Sequence, residues 1–247
     1  MPPSRTPRLA ELVAYLGDIG YEDFYRPDRR ADAGPGGQIS AIEAGAIMRT
    51  RESAPGAAER AAALSQASSE AMACTRCRLA GGRNSVVFGS GSADADLMFI
   101  GEGPGAEEDK QGLPFVGRAG ELLTKIIEAI EMRRDEVYIA NIVKCRPPGN
   151  RDPQPDEVAA CRGFLERQID LVRPRILVAL GRIAAQTLLG TETPIGRLRG
   201  QWFAVREVPM MVTYHPAALL RNPSLKRPTW EDMQQVRDRL RAAVSST

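Results

Sequence analysis

Four short apolar runs stand out along the chain, at residues 97–101, 137–144, 176–181 and 208–214. Each run is rich in Val, Ile, Leu or Met, and each is bounded by residues that are typical of turns. Short runs that are apolar at nearly every position are typical of strands buried on both faces of a parallel sheet. The pattern therefore predicts four parallel strands.

Helical patterns separate these runs and follow the last of them, at residues 117–132, 155–172, 182–189 and 230–244. Pro155 suits the first turn of a helix, and Gly190 suits the position just after a helix end. Strands that alternate with helices require right-handed crossovers, which place helices on both faces of the sheet. We therefore predict an α/β fold, a three-layer α/β/α sandwich around a central four-stranded parallel sheet.

The N-terminal part of the chain has a different character. Residues 8–20 suit a short helix, whereas residues 25–56 are rich in Pro, Gly, Ala and Arg and show no sustained periodicity. The alanine-rich stretch 57–72 is predicted to form a helix that leads to the first cysteine. We therefore divide the chain into an N-terminal extension at 1–56, with a short helix and a linker, and a compact domain at 57–247.

Composition and charge exclude several classes of protein. The chain has 247 residues, of which 43% are hydrophobic and 26% are charged, as in an ordinary globular protein. A net charge of +2 gives no overall basicity, so recognition of nucleic acid would depend on local clusters. The sequence contains no run of about 18 apolar residues that would predict a membrane span. Because the N-terminus also lacks the apolar stretch of a secretion signal, we expect a cytoplasmic location, in a bacterial cytosol or nucleoid.

The cysteines indicate a metal site. The chain has four, Cys74, Cys77, Cys145 and Cys161, and the first two form a CxxC pair. Disulfides are rare in the cytosol, so four thiols in such a protein favour metal binding. The spacing is compatible with structural zinc and with an iron–sulfur cluster and does not choose between them. Buried free cysteines are the alternative.

Unusual sequences follow the predicted strands, at the place where an α/β fold carries its site. The first strand enters GEGPG at 101–105, a turn that permits close backbone approach to a ligand. Asn141 lies within a strand, where asparagine is disfavoured, and its amide offers the donor and the acceptor needed to recognise a pyrimidine edge. Phe115 suits a stacking platform or a core position. His215, the only histidine in the chain, suits a catalytic or a structural role.

These motifs occur together and in one order. Between Cys74 and Asp238 the chain contains CTRCRL, VVFGSG, GEGPGAEEDKQGLPFVGRAGELL, VYIANIVKCRPPGNRDPQPDEVAAC and YHPAALLRNP, without a large gap. In this combination the chain resembles the family 4 uracil-DNA glycosylases, the iron–sulfur members of the uracil-DNA glycosylase superfamily. The resemblance does not extend to the segment before Cys74.

The resemblance implies an enzyme of base excision repair. Such an enzyme flips uracil out of DNA and hydrolyses the bond between the base and deoxyribose, which leaves an abasic site. The resemblance also implies a structural [4Fe–4S] cluster held by Cys74, Cys77, Cys145 and Cys161. The expected partner is uracil-containing DNA, and we expect a monomer.

The resemblance assigns roles around the base. His215 is expected to donate a hydrogen bond to uracil O2 as a neutral imidazole, because negative charge develops there as the base departs. Asn141 is expected to recognise uracil, whose O4 and N3–H have the opposite polarity to the N4–H₂ and N3 of cytosine. Phe115 is expected to stack on the ring. The backbone contacts to the base are assigned to Gly101, Glu102 and Gly103.

The resemblance also assigns contacts with DNA. Leu219 or Leu220 is expected to be the wedge that fills the vacated base stack, and ordinary packing is the alternative role for either leucine. The phosphate contacts are assigned to Arg146, Arg151 and Arg221.

The residue that activates water is the least defined part of the site. The superfamily's best-known branch has an aspartate in the first motif, where this chain has Gly103 or Pro104. Among the nearby carboxylates, Glu102 is the first candidate and Glu108 the second. A strong base is not required if a positioned water captures an oxocarbenium ion.

Two other functions fit the same residues. The fold would also suit a protein that binds uracil or abasic DNA without cleaving it, and single-turnover cleavage of a uracil-containing oligonucleotide separates the two functions. A nucleotide-binding or polymerase-associated protein with zinc or a cluster would show the same α/β pattern. Colourless protein with bound zinc would favour that alternative, whereas brown, iron-containing protein would favour the glycosylase.

Overall fold

The computed structural model describes residues 56–245, which belong to one compact unit. The helix predicted at 8–20 and, apart from Gly56, the linker predicted at 25–56 lie outside the described residues. The division of the chain at residue 56 therefore stays a prediction.

A six-stranded sheet forms the centre of this unit. Its strands in chain order are β1 (Ser90–Gly91), β2 (Leu97–Gly101), β3 (Tyr138–Asn141), β4 (Ile176–Leu180), β5 (Trp202–Val205) and β6 (Val208–Thr213). They lie side by side in the order β1-β3-β2-β4-β6-β5. The four central strands are parallel, as predicted, whereas β1 and β5 pair antiparallel at the two edges.

Helices cover both faces of the sheet. In chain order they are α1 (Ala57–Met72), α2 (Ala106–Gln111), α3 (Arg118–Ala129), α4 (Pro155–Val172), α5 (Arg182–Leu189), α6 (Ile195–Leu198), α7 (Pro216–Arg221) and α8 (Lys226–Ser245). The bounds predicted for α1, α4 and α5 are confirmed, whereas α3 is shorter than predicted and α8 begins earlier. Within residues 56–245, no helix is long and apolar enough to cross a membrane.

Two hydrophobic cores lie on the opposite faces of the sheet. Met98 and Ile100 of β2 pack into the core that contains α1, α4 and α5. Leu97 and Phe99 of the same strand pack into the core that contains α3, α7 and α8. Successive strand residues point to opposite faces, so a strand buried on both faces must be apolar throughout. This arrangement confirms the three-layer α/β/α fold.

The two edge strands are additional to the four predicted strands. β5 and β6 form a hairpin through Arg206 and Glu207, whose φ angles are 50° and 66°. Two-residue hairpin turns with positive φ at both positions usually contain Asn or Gly, so this turn lacks its usual sequence signal. β5 is also only partly buried, which weakens its apolar pattern.

The parallel strands bring the motifs to one edge of the sheet. Gly101 at the end of β2 lies in register with Asn141 at the end of β3. Leu180 at the end of β4 lies in register with Thr213, two residues before His215. Three of the four adjacent strands, β2, β3 and β6, therefore carry the predicted site residues at their carboxyl ends, as expected for an open α/β sheet.

Candidate active site

Three predicted base-binding residues meet at the end of β2. A methyl group placed on Gly101 would lie 2.5 Å from Asn141 Oδ1 and 2.7 Å from Phe115 Cζ. Both distances are far below an ordinary contact of about 3.5 Å. A side chain at position 101 would therefore collide with both neighbours, and glycine allows the phenyl ring and the amide to approach the strand end this closely.

Asn141 has an unsatisfied acceptor. Its side chain is 2% exposed, and its Oδ1 has no hydrogen-bond partner among the described residues. Nearly all buried polar groups are paired, and an unpaired one costs about 1–3 kcal/mol. A buried and unpaired amide oxygen at a strand end is typical of a group that a ligand satisfies.

Glu108 holds the loop that carries Phe115. Its Oε1 accepts hydrogen bonds from the backbone N–H groups of Val116 at 2.9 Å and Gly117 at 3.0 Å. Its Oε2 accepts one from the N–H of Gly105 at 3.1 Å. Both carboxylate oxygens are thus engaged with the backbone, and they connect the glycine-rich turn to the Phe115 loop.

Arg134 binds the carbonyl groups of the same loop. Its Nη2 donates to the carbonyl oxygens of Pro114 at 2.7 Å and Phe115 at 2.9 Å, and its Nη1 donates to Thr124 Oγ1 at 3.0 Å. Phe115 has a φ of 53°, a left-handed conformation that is unfavourable for a large side chain. With Glu108 on the N–H groups and Arg134 on the carbonyls, hydrogen bonds of both kinds hold this conformation.

His215 lies at the N-terminus of α7, next to the Phe115 ring. The two ring centroids are 5.5 Å apart, and the planes are tilted by 31°. His215 Nδ1 accepts a hydrogen bond from the N–H of Ala217 at 3.1 Å, so the proton of the neutral imidazole is on Nε2. Gly181 packs against the base of this side chain, where a methyl group would lie 2.8 Å from His215 Cβ. The geometry therefore leaves Nε2 as the donor of the ring.

His215 is neutral at physiological pH. Burial and, to a smaller extent, the positive charge of Arg221 lower its pKa from 6.5 to about 4, against the opposing charge of Glu108. A neutral imidazole can donate from Nε2 without placing a net charge in a largely buried site.

Glu102 directly follows β2 and is partly buried. Burial and, to a smaller extent, the negative charge of Asp152 raise its pKa from 4.5 to about 7, against the opposing charge of Arg182. Asp152 and Arg182 form an ion pair with an Oδ2–Nη2 distance of 2.5 Å. A carboxyl group that titrates near neutrality is suited to accept a proton from water.

The four cysteines line one cavity of about 290 Å³, part of which is open to solvent. Cys145 and Cys161 are buried, whereas Cys74 and Cys77 are partly exposed. The apolar part of the wall comes from Ala71, Ala80, Ala160 and Phe164. Within residues 56–245, no three His, Cys, Asp or Glu side chains converge closely enough to hold a single metal ion. The thiols surround a space and do not meet at a point.

Hydrogen-bond donors surround the cysteine sulfurs. Three of the four Sγ atoms accept from nitrogen, namely Cys74 from Arg76 Nε at 3.4 Å, Cys145 from Arg83 Nη1 at 3.3 Å and Cys161 from the backbone N–H of Lys144 at 3.3 Å. Such donors and the nearby positive charges stabilise thiolates and the sulfur ligands of metal centres. The donor set therefore suits an anionic sulfur-bound group.

The two adjacent leucines of α7 differ in exposure. Leu219 is 2% exposed and belongs to the core that contains α3 and α8, whereas Leu220 is 40% exposed. A side chain that inserts between bases must be accessible from the surface. Leu220 meets this requirement, and it lies on the same short helix that begins after His215.

The three arginines expected at phosphates differ in their partners. Arg221 is exposed at the end of α7. Arg146 Nε donates to Asn150 Oδ1 at 2.7 Å. Arg151 donates with both terminal nitrogens to the buried carboxylate of Glu157, at 2.8 and 2.6 Å, and lowers its pKa. Arg151 is thus engaged in an ion pair that fastens its loop to α4.

Comparison with known proteins gives the family. The family model described as "Uracil DNA glycosylase superfamily" matches residues 88–234, which is more than half of the chain. The chain belongs to the uracil-DNA glycosylase superfamily. Within this superfamily match lie the glycine-rich turn, Asn141 and His215, whereas Cys74 and Cys77 precede it.

Several relatives are named type-4 uracil-DNA glycosylases. The one from Sulfurisphaera tokodaii is 43% identical over 71% of this chain and 84% of its own length. The one from Thermotoga maritima is 46% identical over 66% of this chain and 88% of its own length. A type-5 uracil-DNA glycosylase from Pyrobaculum aerophilum is 32% identical over 59% of this chain and 71% of its own length. The resemblance to family 4 is confirmed.

The superfamily site also contains residues that the sequence pattern did not indicate. Gly181 supports His215, and its position at the end of an apolar run is a signal that could have identified it. Arg134 supports Phe115 and lies in the turn after α3, where a charged residue is unremarkable. Its role depends on contacts with carbonyl groups that lie 19 and 20 residues earlier in the chain, and the spacing of residues in the sequence does not reveal such contacts.

Proposed function

We propose that this chain is a DNA-repair glycosylase that removes uracil from DNA by hydrolysing the N-glycosidic bond and leaves an abasic site. Membership of the superfamily and the type-4 relatives support this function. The observation that carries it is the buried, unpaired Oδ1 of Asn141 beside the Phe115 ring. Uracil N3–H would satisfy this acceptor, whereas cytosine, which has a lone pair at N3, would leave it unpaired.

His215 stabilises the departing base. Cleavage leaves negative charge on uracil, and a donor aimed at O2 lowers the energy of that charge most when it is held in place beforehand. The hydrogen bond from Ala217 to Nδ1 provides this orientation and leaves Nε2–H for the base. The backbone of the turn at 101–103 approaches the base from β2, and Phe115 stacks on its ring.

Glu102 activates the attacking water, and Glu108 acts as a positioning residue. Glu102 lies at the strand end with a pKa of about 7, so a large fraction of it is ionised at neutral pH. Glu108 uses both carboxylate oxygens to hold backbone N–H groups, which leaves it poorly placed to accept a proton from water. These contacts favour the first of the two candidates.

The cysteine cavity holds a [4Fe–4S] cluster in this proposal, with Cys74, Cys77, Cys145 and Cys161 as ligands. The position of all four cysteines around one cavity and the N–H···S donors there support such a group. When bound, the cluster supplies a structural cross-link and not a reactive centre. It would join the CxxC turn to the end of β3 and to α4, which lie far apart in the sequence.

Leu220 and two arginines make the DNA contacts. Leu220 is exposed on α7 and inserts into the space that the flipped nucleotide leaves, while Leu219 packs in the core. Arg221 and Arg146 bind phosphates, and Arg151 acts indirectly by holding the loop through Glu157. The monomeric state stays a prediction.

Single-turnover cleavage of an oligonucleotide with one uracil tests the function. The protein should produce an abasic site from uracil and leave cytosine intact. Asn141→Asp should shift the preference toward cytosine, since a carboxylate accepts from N4–H₂, whereas Gln235→Glu, the same change at an exposed position of α8, should not. Binding of uracil DNA without an abasic product would refute the enzyme and favour a binding module.

A further inference from the structure

A lysine lies in the interior, between the base-recognition residue and the cysteine cavity. Lys144 is 1% exposed. Its Nζ donates to the backbone carbonyl of Asn141 at 2.8 Å and to Gln168 Oε1 at 2.5 Å, so the oxygens that it contacts are neutral. Lys144 also lines the cysteine cavity, but both hydrogen-bond partners of its ammonium group are neutral, so its burial is costly, and an apolar side chain of similar size would pack without that cost. The position of this lysine therefore calls for a reason other than packing.

The peptide unit that follows Asn141 is held at both ends. The N–H of Ile142 donates to the carbonyl of Gly101 at 2.9 Å, and the carbonyl of Asn141 accepts from Lys144 Nζ. Because a peptide unit is planar, two hydrogen bonds on opposite sides fix its orientation. They thereby fix the ψ angle of Asn141 and the direction in which its side chain leaves the backbone.

Lys144 is itself braced by α4. Gln168, which is fully buried on that helix, accepts from Nζ and uses its own Nε2 to donate to the carbonyl of Phe88 at 2.8 Å and to the hydroxyl of Tyr138 at 3.1 Å. The backbone N–H of Lys144 donates to Cys161 Sγ on the same helix. The end of β3 is therefore tied to α4 through one residue.

We propose that Lys144 is a positioning residue that orients Asn141 for recognition of the uracil edge, with Gln168 as its brace. The inference rests on the proposed role of Asn141. Without the ammonium group, the peptide unit after Asn141 loses one of its two anchors and can rotate. A small displacement of the amide is enough to weaken paired hydrogen bonds to a base, while contacts with phosphates stay unaffected.

Lys144→Met tests this proposal, with Lys125→Met on the exposed face of α3 as the matched control. The probes are two duplexes that differ in one nucleotide, 2′-fluoro-2′-deoxyuridine or 2′-fluoro-2′-deoxycytidine, since 2′-fluorination slows glycosidic cleavage and allows equilibrium binding. The measured quantity is the ratio of the two dissociation constants. We expect Lys144→Met to reduce the preference for uracil by about tenfold, a factor that corresponds to one well-placed hydrogen bond. Affinity for undamaged DNA and iron content should be unchanged, and the control should match the unsubstituted protein.

An undiminished uracil preference in Lys144→Met would overturn the proposal. A parallel loss of affinity for undamaged DNA would also overturn it, and so would a loss of iron together with the uracil preference. Either result would indicate a general structural role of Lys144. If Lys144→Met does not fold, Gln168→Met removes the brace but keeps the ammonium and should reduce the preference by about threefold; no reduction there would also overturn the proposal. Absence of uracil preference in the unsubstituted protein would instead refute the function of Asn141, so the two failures are distinguishable.

Discussion

The acid limb of the pH–rate profile should report the ionisation of Glu102. Burial and the charge of Asp152 raise its pKa to about 7, against the opposing effect of Arg182. If only the ionised carboxylate accepts a proton from water, the cleavage rate follows the ionised fraction. That fraction falls by about 90-fold between pH 8 and pH 5 for a pKa of about 7, but by only about 1.3-fold for the ordinary value near 4.5.

The assay is single-turnover cleavage of a uracil-containing duplex between pH 5 and pH 8. The enzyme is in excess over the DNA, at a concentration that saturates binding. His215 does not obscure this range, because a pKa of about 4 leaves roughly nine-tenths of it neutral at pH 5. Glu102→Gln cannot titrate and should flatten the profile. It should also lower the rate at pH 8 by about 10²-fold, a typical contribution of a general base.

Two further variants test whether the charge of Asp152 contributes to the raised pKa of Glu102. Asp152→Asn removes a negative charge that raises the pKa of Glu102, so the acid limb should move to lower pH. Glu121→Gln changes an exposed carboxylate on α3 and should leave the profile in place. A flat profile for the unsubstituted protein, or an acid limb that persists in Glu102→Gln, would refute the role of Glu102.

Three other predictions follow from the same site. His215→Ala should slow cleavage by about 10²–10³-fold and leave DNA affinity nearly unchanged in a binding titration; equal losses in both would indicate a structural histidine. Leu219→Ala should lower the free energy of unfolding by about 2–5 kcal/mol in urea titrations. Leu220→Ala should change that free energy by at most about 0.5 kcal/mol yet slow cleavage, and the reverse pattern would contradict the assignment of the wedge. Arg134→Gln should weaken binding of uracil DNA more than it lowers the cleavage rate of the bound DNA, because the Phe115 turn loses the hydrogen bonds to its carbonyl groups. Unchanged binding would mean that the remaining hydrogen bonds are enough to hold the turn.

Local pattern accounts for most of the fold. The runs that form β2, β3, β4 and β6 are apolar at nearly every position because both faces of the sheet are covered, and this property is visible in the sequence without knowledge of the neighbouring segments. β5 was not visible in the same way, since it is half exposed and its turn adopts positive φ at Arg206 and Glu207 without Asn or Gly. An edge strand is defined by its pairing, which depends on a neighbour.

The same distinction, between what local sequence shows and what depends on distant neighbours, applies to the residues of the site. Asn141 lies within one apolar run and His215 directly after another, so their positions at one edge of the sheet follow from the sequence once parallel strands are assumed. The supporting residues Arg134 and Lys144 act on backbone carbonyls, and a carbonyl group is present at every position whatever the residue. No residue type or spacing distinguishes those contacts.

The sequence by itself determined the four central strands, the main helices between them, the layers of the fold and the residues at the strand ends, because apolar periodicity and turn residues are local properties. Only the tertiary structure decided that Leu220 and not Leu219 is exposed, and that both carboxylate oxygens of Glu108 accept hydrogen bonds from backbone N–H groups. It alone showed that the Oδ1 of Asn141 is buried without a partner among the described residues. These facts depend on which segments, distant along the chain, come to lie against each other, and spacing carries no record of that packing.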